Sequence, residues 1–181
     1  MKIETDSLSH LMQTMLSPQT YPHPLDKIEF AQTQMSLVFL TGQYAYKIKK
    51  PVDLGYLDYT TLEKRQHFCR REVELNRRLC PNTYLEVLPL TSESGKLSLG
   101  GEGEIVEYAV KMRQLPQGRM MDKLLAEGKV SVYMVREVAA RLAEFHLLAE
   151  TSNHINTFGE LCSIMINTDE NFTQTEGYIG K

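Results

Sequence analysis

No apolar run reaches the roughly 18 residues that a membrane-crossing helix needs. The opening stretch, M-K-I-E-T-D-S-L-S-H, has no apolar segment of the kind a secretory leader carries. These two absences argue against a membrane partner and lead to the expectation of a cytoplasmic protein. Cysteine is scarce: Cys69, Cys80 and Cys162 are scattered and odd in number, which fits reduced, packed thiols better than a disulfide framework or a metal site. Neither charge sign dominates, with 20 Lys and Arg against 23 Asp and Glu. A chain with no basic field is not expected to bind nucleic acid. There is no internal repeat and no low-complexity tract. Asp6, Asp53 and Asp58 lack the spacing of a coordinated metal site.

What is present is ordinary for a globular protein: 42% hydrophobic and 24% charged residues over 181 positions. That length suits one domain, or one domain and part of another. Residues 6–16 read as a short helix capped by Asp6 or Ser7 and ended by Pro18. Y-P-H-P-L-D (21–26) reads as an extended linker, because each proline disfavours helix in the residue before it.

Three strands are predicted next, at 28–33, 37–40 and 44–49, the last two joined by a turn at Thr41-Gly42-Gln43. P-V-D-L-G-Y-L-D-Y-T (51–60) is irregular, and its Tyr56 and Tyr59 are candidates to fold over a cleft. Thr60 or Thr61 caps a long helix reaching Leu79. Strands are predicted at 84–90 and 103–112, with the polar S-E-S-G-K (92–96) as the hairpin between them. Two helices follow, at 119–127 and 131–150. The second is lined on one side by Val135, Val138, Ala139, Leu142, Phe145 and Ala149, and carries His146 as a packed histidine. N-T-D-E-N-F (167–172) reads as a helix cap or solvated turn. Strands first and helices afterwards give an α+β class with two lobes.

The third strand raises a question. Side chains alternate between faces, so Tyr44, Tyr46 and Ile48 share the core side, and Ala45, Lys47 and Lys49 share the other. A small residue beside a lysine suits a flat ring with an anionic tail. In the following helix, Phe68, Leu75 and Leu79 form a stripe, and Glu72 falls on it. A carboxylate on a packed face costs several kcal/mol unless paired, and Lys47 is the partner on offer. The basic residues Lys64, Arg65, Arg70, Arg71, Arg77 and Arg78 read as a solvated helix face paired locally with Glu63 and Glu74.

Y-A-Y-K-I (44–48) looks like the V-A-I-K element of the kinase fold. The longer string V-F-L-T-G-Q-Y-A-Y-K-I-K-K-P-V-D-L-G-Y-L-D-Y-T-T-L-E-K-R (38–65) resembles the N-terminal part of bacterial aminoglycoside phosphotransferase-like proteins, particularly those in which this domain precedes a P-loop ATPase or kinase domain. L-A-E-F-H (142–146) is similar to the helix that opens that family's C-terminal lobe. The resemblance implies an antiparallel sheet with one long helix, a kinase-like N-lobe, followed by the first helices of a truncated C-lobe. The implied layout is an N-terminal helix and linker over 1–23, the N-lobe over 24–112, a hinge over 113–117 and an incomplete C-lobe over 118–181.

The same resemblance implies ATP as the ligand. Lys47 would contact its α- and β-phosphates and Glu72 would hold Lys47. Ala45 and Val38 would pack on adenine, Thr33 and Ser36 would sit in the nucleotide loop, and backbone groups of Arg113, Gln114 and Leu115 would meet the adenine edge. Implied partners are the nucleotide, a C-terminal P-loop ATPase domain, or a second copy of the chain.

Two departures qualify this. Q-T-Q-M-S (32–36) has no glycine, so the family's phosphate grip is absent. None of His10, His23, His67, His146 and His154 is followed two positions on by Asp, and no Asp-Phe-Gly or Asp-Phe-Asp occurs. The catalytic loop and the Mg²⁺-holding aspartate are thus missing from this chain, which is expected to lack turnover by itself. A non-catalytic kinase-like scaffold and a basic-helix RNA binder remain as alternatives.

Overall fold

A computed structural model describes residues 5–25 and 27–180, with side chains from Leu8 onward. The expected caps Asp6 and Ser7, by their side chains, and Asp26 of the 21–26 segment lie outside the described residues. The chain is mixed α+β and divides into two units, 1–130 and 131–181.

The first unit is built on a six-stranded antiparallel sheet: β1 (Glu29–Gln32), β2 (Ser36–Leu40), β3 (Tyr44–Lys49), β4 (Tyr84–Glu93), β5 (Lys96–Leu99) and β6 (Glu104–Arg113). Aromatic and β-branched residues at alternate positions favour this pleated state. The spatial order is β1-β2-β3-β6-β4-β5. β2 and β3 turn at Gly42, whose φ of 86° is a conformation that glycine adopts without strain. The 92–96 hairpin does not join β4 to β6 directly. It leads into β5, absent from the sequence reading, and the chain then turns again before β6. That second turn needs Gly103, where φ is 118° and an added Cβ would lie 2.5 Å from the Ser92 carbonyl oxygen.

One face of the sheet is closed by α1 (Thr5–Met15) and the segment after it. Met15 and Tyr21 are buried with Leu37, Phe39, Tyr46 and Ile48. The Tyr21 hydroxyl donates to the Met15 carbonyl at 2.6 Å, and a His23 ring nitrogen lies 2.9 Å from the Tyr46 hydroxyl. The stretch read as a linker is therefore part of the core, held by two tyrosines whose hydroxyls find partners there.

The other face is closed by α2 (Leu62–Arg77), capped by Thr61, whose hydroxyl accepts from the Lys64 amide at 3.3 Å. Its buried residues are Arg65, Cys69 and Val73, packed toward Val110, Val87 and Tyr84. This corrects the stripe read from Phe68, Leu75 and Leu79, all of which are exposed. At 100° per residue, positions 65, 69, 72 and 73 share the inward side. Phe68 flanks it and stacks at an angle on Tyr59, ring centroids 5.1 Å apart.

A short helix α3 (Met121–Ala126) completes the first unit. The second holds α4 (Val132–Leu147), α5 (Asn153–Thr157) and α6 (Leu161–Thr175). Ser131 caps α4 by accepting from the Met134 amide. Val135, Val138 and Leu142 are exposed, and so is His146, which is not packed as the sequence suggested. Asp169 and Glu170 lie inside α6, not in a cap or turn.

Candidate functional site

Strand alternation sets the site. Antiparallel partners share a face, so Ser36 lies opposite Lys49, Val38 opposite Lys47, and Leu40 opposite Ala45. On the other flank of β3, Ala45 faces Met112 and Lys47 faces Val110. Ala45 is buried and Val38 partly so.

Glu72 reaches this face from α2. Lys47 Nζ donates to Glu72 Oε1 at 2.8 Å, and Lys49 Nζ donates to Glu72 Oε2 at 2.7 Å. One carboxylate is thus shared by two ammonium groups. Their side-chain exposures differ: 28% for Lys47, 5% for Lys49 and 12% for Glu72. The Lys49 ammonium also lies 4.7 Å from the centre of the Tyr59 ring. Burial pushes the Glu72 carboxyl up, but the two lysine hydrogen bonds outweigh it and hold the group below the ordinary glutamate range. Burial alone would lower the Lys49 ammonium, yet the hydrogen bond to Glu72 and its charge raise it above ordinary lysine. Two positive charges against one negative leave a surplus cation, and Lys47 is the one with access to solvent.

The turn between β1 and β2 is tied to itself. The Thr33 amide donates to the Ser36 carbonyl at 2.9 Å. Thr33 Oγ1 accepts from the Ser36 amide at 3.1 Å. Lys50 Nζ donates to the Thr33 carbonyl at 2.7 Å. Ser36 is buried, and its Oγ has no hydrogen-bond partner, which sets it apart from the other buried side-chain oxygens and nitrogens among the described residues. Thr33 lies at the surface, while Ser36 belongs to the covered face beside Lys49. The two are therefore not equivalent loop residues.

The crossing after β6 departs from its reading as well. The Arg113 amide donates to the Thr83 carbonyl at 2.8 Å, and the Gln114 amide donates to the Gln43 carbonyl at 3.1 Å. Gln114 Oε1 accepts from the Gly42 amide at 2.8 Å. The N–H groups of Arg113 and Gln114 are thus engaged inside the fold and are not offered to a ligand. Leu115, half exposed, follows them.

A second charged network lies nearby. Arg65 Nε donates to both oxygens of Glu107, at 3.0 and 2.8 Å, and Nη1 donates to the carbonyls of Tyr59 at 2.9 Å and Thr60 at 3.2 Å. Arg65 is consequently no part of a solvated basic face. It is a buried clamp between α2, β6 and the end of the irregular 51–60 segment. Arg71 pairs with Glu74 as expected, while Lys64 pairs with Asp58 and Arg77 donates to the Tyr84 and Leu85 carbonyls, partners other than the Glu63 and Glu74 expected for this face. Asp53 and Asp58 accept from Gly55 and Thr60 amides and shape the loop. Tyr56 points to solvent while Tyr59 is buried under Lys49. Among the described residues, no group of three His, Cys, Asp or Glu is placed to hold a metal ion. No described helix is long and apolar enough to cross a membrane.

Sequence reasoning named the carboxylate's first partner and passed over the second. The signal for Lys49 was available, since a two-residue period puts it beside Lys47. Nothing local marks Glu107, because its partner is 42 residues away.

Comparison with known proteins finds relatives without assigned roles. The chain is 31% identical over 154 residues to uncharacterized proteins of Mycobacterium bovis and of two strains of Mycobacterium tuberculosis. The match takes in 85% of this chain and 29% of each relative, so the chain spans less than a third of the length of the curated relatives it matches. No family model and no solved structure matches it.

Proposed function

We propose that this chain is the nucleotide-binding part of a small-molecule kinase-like protein, of the aminoglycoside phosphotransferase-like kind, and that its sheet and α2 form a kinase-like N-lobe. The observation that carries this reading is the Lys47–Glu72 pair at 2.8 Å, between a central strand and the helix that packs on it. A strand lysine held by a helix carboxylate is the arrangement that presents an ammonium to nucleotide phosphates. Ala45 and Val38, on the same face, leave room for the adenine ring beside it. Lys49 adds a device of its own. When Lys47 swings toward phosphate, Lys49 keeps Glu72 ionised and in place, so the carboxylate is not left buried and unpaired. With two amides at the β6 crossing already engaged, Leu115 and the carbonyls there are the groups left for the adenine edge.

In the longer protein this lobe would present ATP for transfer of its γ-phosphate to a hydroxyl of a small molecule. The present chain lacks the aspartates and asparagine that orient the acceptor and hold Mg²⁺, so it binds and does not turn over.

Thermal unfolding with and without ATP tests the reading. ATP raises the melting temperature of the wild type, and Lys47→Ala removes that rise while leaving the fold intact. An equal rise in both proteins, or none in either, refutes the nucleotide site. A non-catalytic scaffold is the second reading, favoured by the engaged amides of Arg113 and Gln114 and by the glycine-free, self-tied turn at 32–36. It takes over if ATP has no effect. Phosphoryl transfer from labelled ATP to hydroxylated acceptors, above a Lys47→Ala control, overturns the claim that this chain has no turnover.

A further inference from the structure

Two apolar helix faces play no part in the sheet or in the Lys47 site. One is on α2. Phe68, Leu75 and Leu79, the last just past the helix end, fall on one side of it and stay 36–45% exposed. The other is on α6, where Leu161, Met165 and Phe172 recur at helical spacing and are 52–73% exposed. None of the described residues in 131–180 is buried. A lone 15-residue helix is marginal in water, so the α6 stripe calls for a cover.

The charges at the edges of the two stripes match. Written as a seven-residue repeat, α2 has Phe68 and Leu75 at d and Leu79 at a, which puts Arg71 and Arg78 at g. In the same notation α6 has Leu161 at d and Met165 and Phe172 at a. That puts Asp169 at e, and Glu176, one residue past the helix, at e as well. Positions e and g border the seam of paired helices and meet across it, g to e when the helices are parallel. The opposite flanks carry no charge, with Cys69 and Asn76 on α2 and Ile164 and Asn171 on α6. Arg71 already meets Glu74 on its own helix, but that pair is exposed, and such pairs are weak enough to exchange. The described residues of 131–180 as a whole carry seven acidic side chains against two arginines.

We propose that α2 takes α6 of a second copy of this chain, the two helices parallel, with Arg71 and Arg78 facing Asp169 and Glu176. Each copy owns both faces, so the exchange is reciprocal and closes in a twofold dimer. Three stripe side chains on each helix, at about 100 Å² of exposed surface apiece, bring the buried total to roughly 1,200 Å², the lower end of a specific interface. That size fits micromolar association. The contact does not depend on the nucleotide reading.

Analytical ultracentrifugation of the full chain reads the mass. The wild type passes from one copy toward two between about 1 and 100 µM, and added salt moves the transition to higher concentration. Leu75→Asp abolishes it. Charge reversal is the sharper test. Arg71→Glu with Arg78→Glu makes both edges acidic, and Asp169→Arg with Glu176→Arg makes both basic. All four residues are exposed, so each double variant keeps the circular dichroism that the wild type shows as a monomer. Each alone stays monomeric over that range, and an equimolar mixture of the two dimerises again. A wild type that stays monomeric overturns the proposal, whether α6 is then covered within its own chain, by another protein or not at all. Dimers that persist in both reversed variants, or a mixture that stays monomeric, overturn the assignment of these two faces.

Discussion

Arg65 holds both oxygens of Glu107 through a single nitrogen, Nε, at 3.0 and 2.8 Å, with both side chains less than a tenth exposed. Burial raises the Glu107 carboxyl above the ordinary range even though Arg65 pulls it down. Removing one partner of such a pair leaves a buried charge unsatisfied. Arg65→Ala is expected to cost about 3–5 kcal/mol of stability in urea unfolding. The double change Arg65→Met, Glu107→Leu keeps the volume, strands no charge, and costs much less. A single variant within about 1 kcal/mol of wild type would mean that the clamp holds nothing.

Glu72 makes stability depend on acid. Its carboxyl is held below the ordinary value of 4.5, so it binds its proton more weakly folded than unfolded. Its contribution is full above that value and is lost as the pH falls through the lower native one. Lys49 acts at the other end. Raised above 10.5, it contributes fully below that value and loses its part as the pH rises through the native one. Glu72→Gln is expected to flatten the acid arm of the unfolding curve. The Glu107 contribution runs the opposite way but is common to both proteins, so it drops out of the difference. Parallel wild-type and variant curves between about pH 3 and 5 would rule out the carboxylate as the source.

Ser36 separates binding from folding. A buried hydroxyl with no partner costs roughly 1–3 kcal/mol, and Ser36 Oγ is one. Ser36→Ala is therefore expected to hold or raise the unliganded melting temperature. If Ser36 meets phosphate beside Lys49, the same change weakens the ATP response. A clear loss of unliganded stability would show that the hydroxyl is satisfied in solution.

The three thiols are expected to divide. Cys69 is buried, and burial pushes its thiol up to about 12, with Lys49 opposing. Cys80 and Cys162 are exposed. The thiolate is the reactive form, so an alkylating reagent at neutral pH modifies two thiols quickly in the native protein and the third only after denaturation. Fast native labelling of Cys69, read by mass spectrometry, would contradict the packing of α2 on the sheet.

Much of the site was legible in local pattern. The bounds of β3 follow from its alternation, and Thr61 from its place before a helical run. Glu72 stood out as a carboxylate among packed positions, although the stripe drawn through Phe68, Leu75 and Leu79 was displaced from the face that is buried. The displacement has a physical cause. The inward side of α2 carries Arg65 and Glu72, charges neutralised by residues far along the chain, and a hydrophobicity pattern registers only apolar side chains. The same limit hid the packing of Tyr21 and His23. Their prolines do favour extended backbone, but extended backbone can line a core as well as link one. β5 was missed because four residues between two turns leave little periodicity to read.

The strand order also bears on how the molecule is made. β6 lies between β3 and β4 and pairs with both, yet it is the last of the described strands in chain order. Until residue 113 has left the ribosome, the hairpin of β2 and β3 and the hairpin of β4 and β5 have no partner in common, and the central row of backbone donors and acceptors on each stays open. Completion of the sheet is therefore a late, long-range step. A nascent chain paused in the 90s would present two raw edges at once, the state in which a folding helper has most to cover.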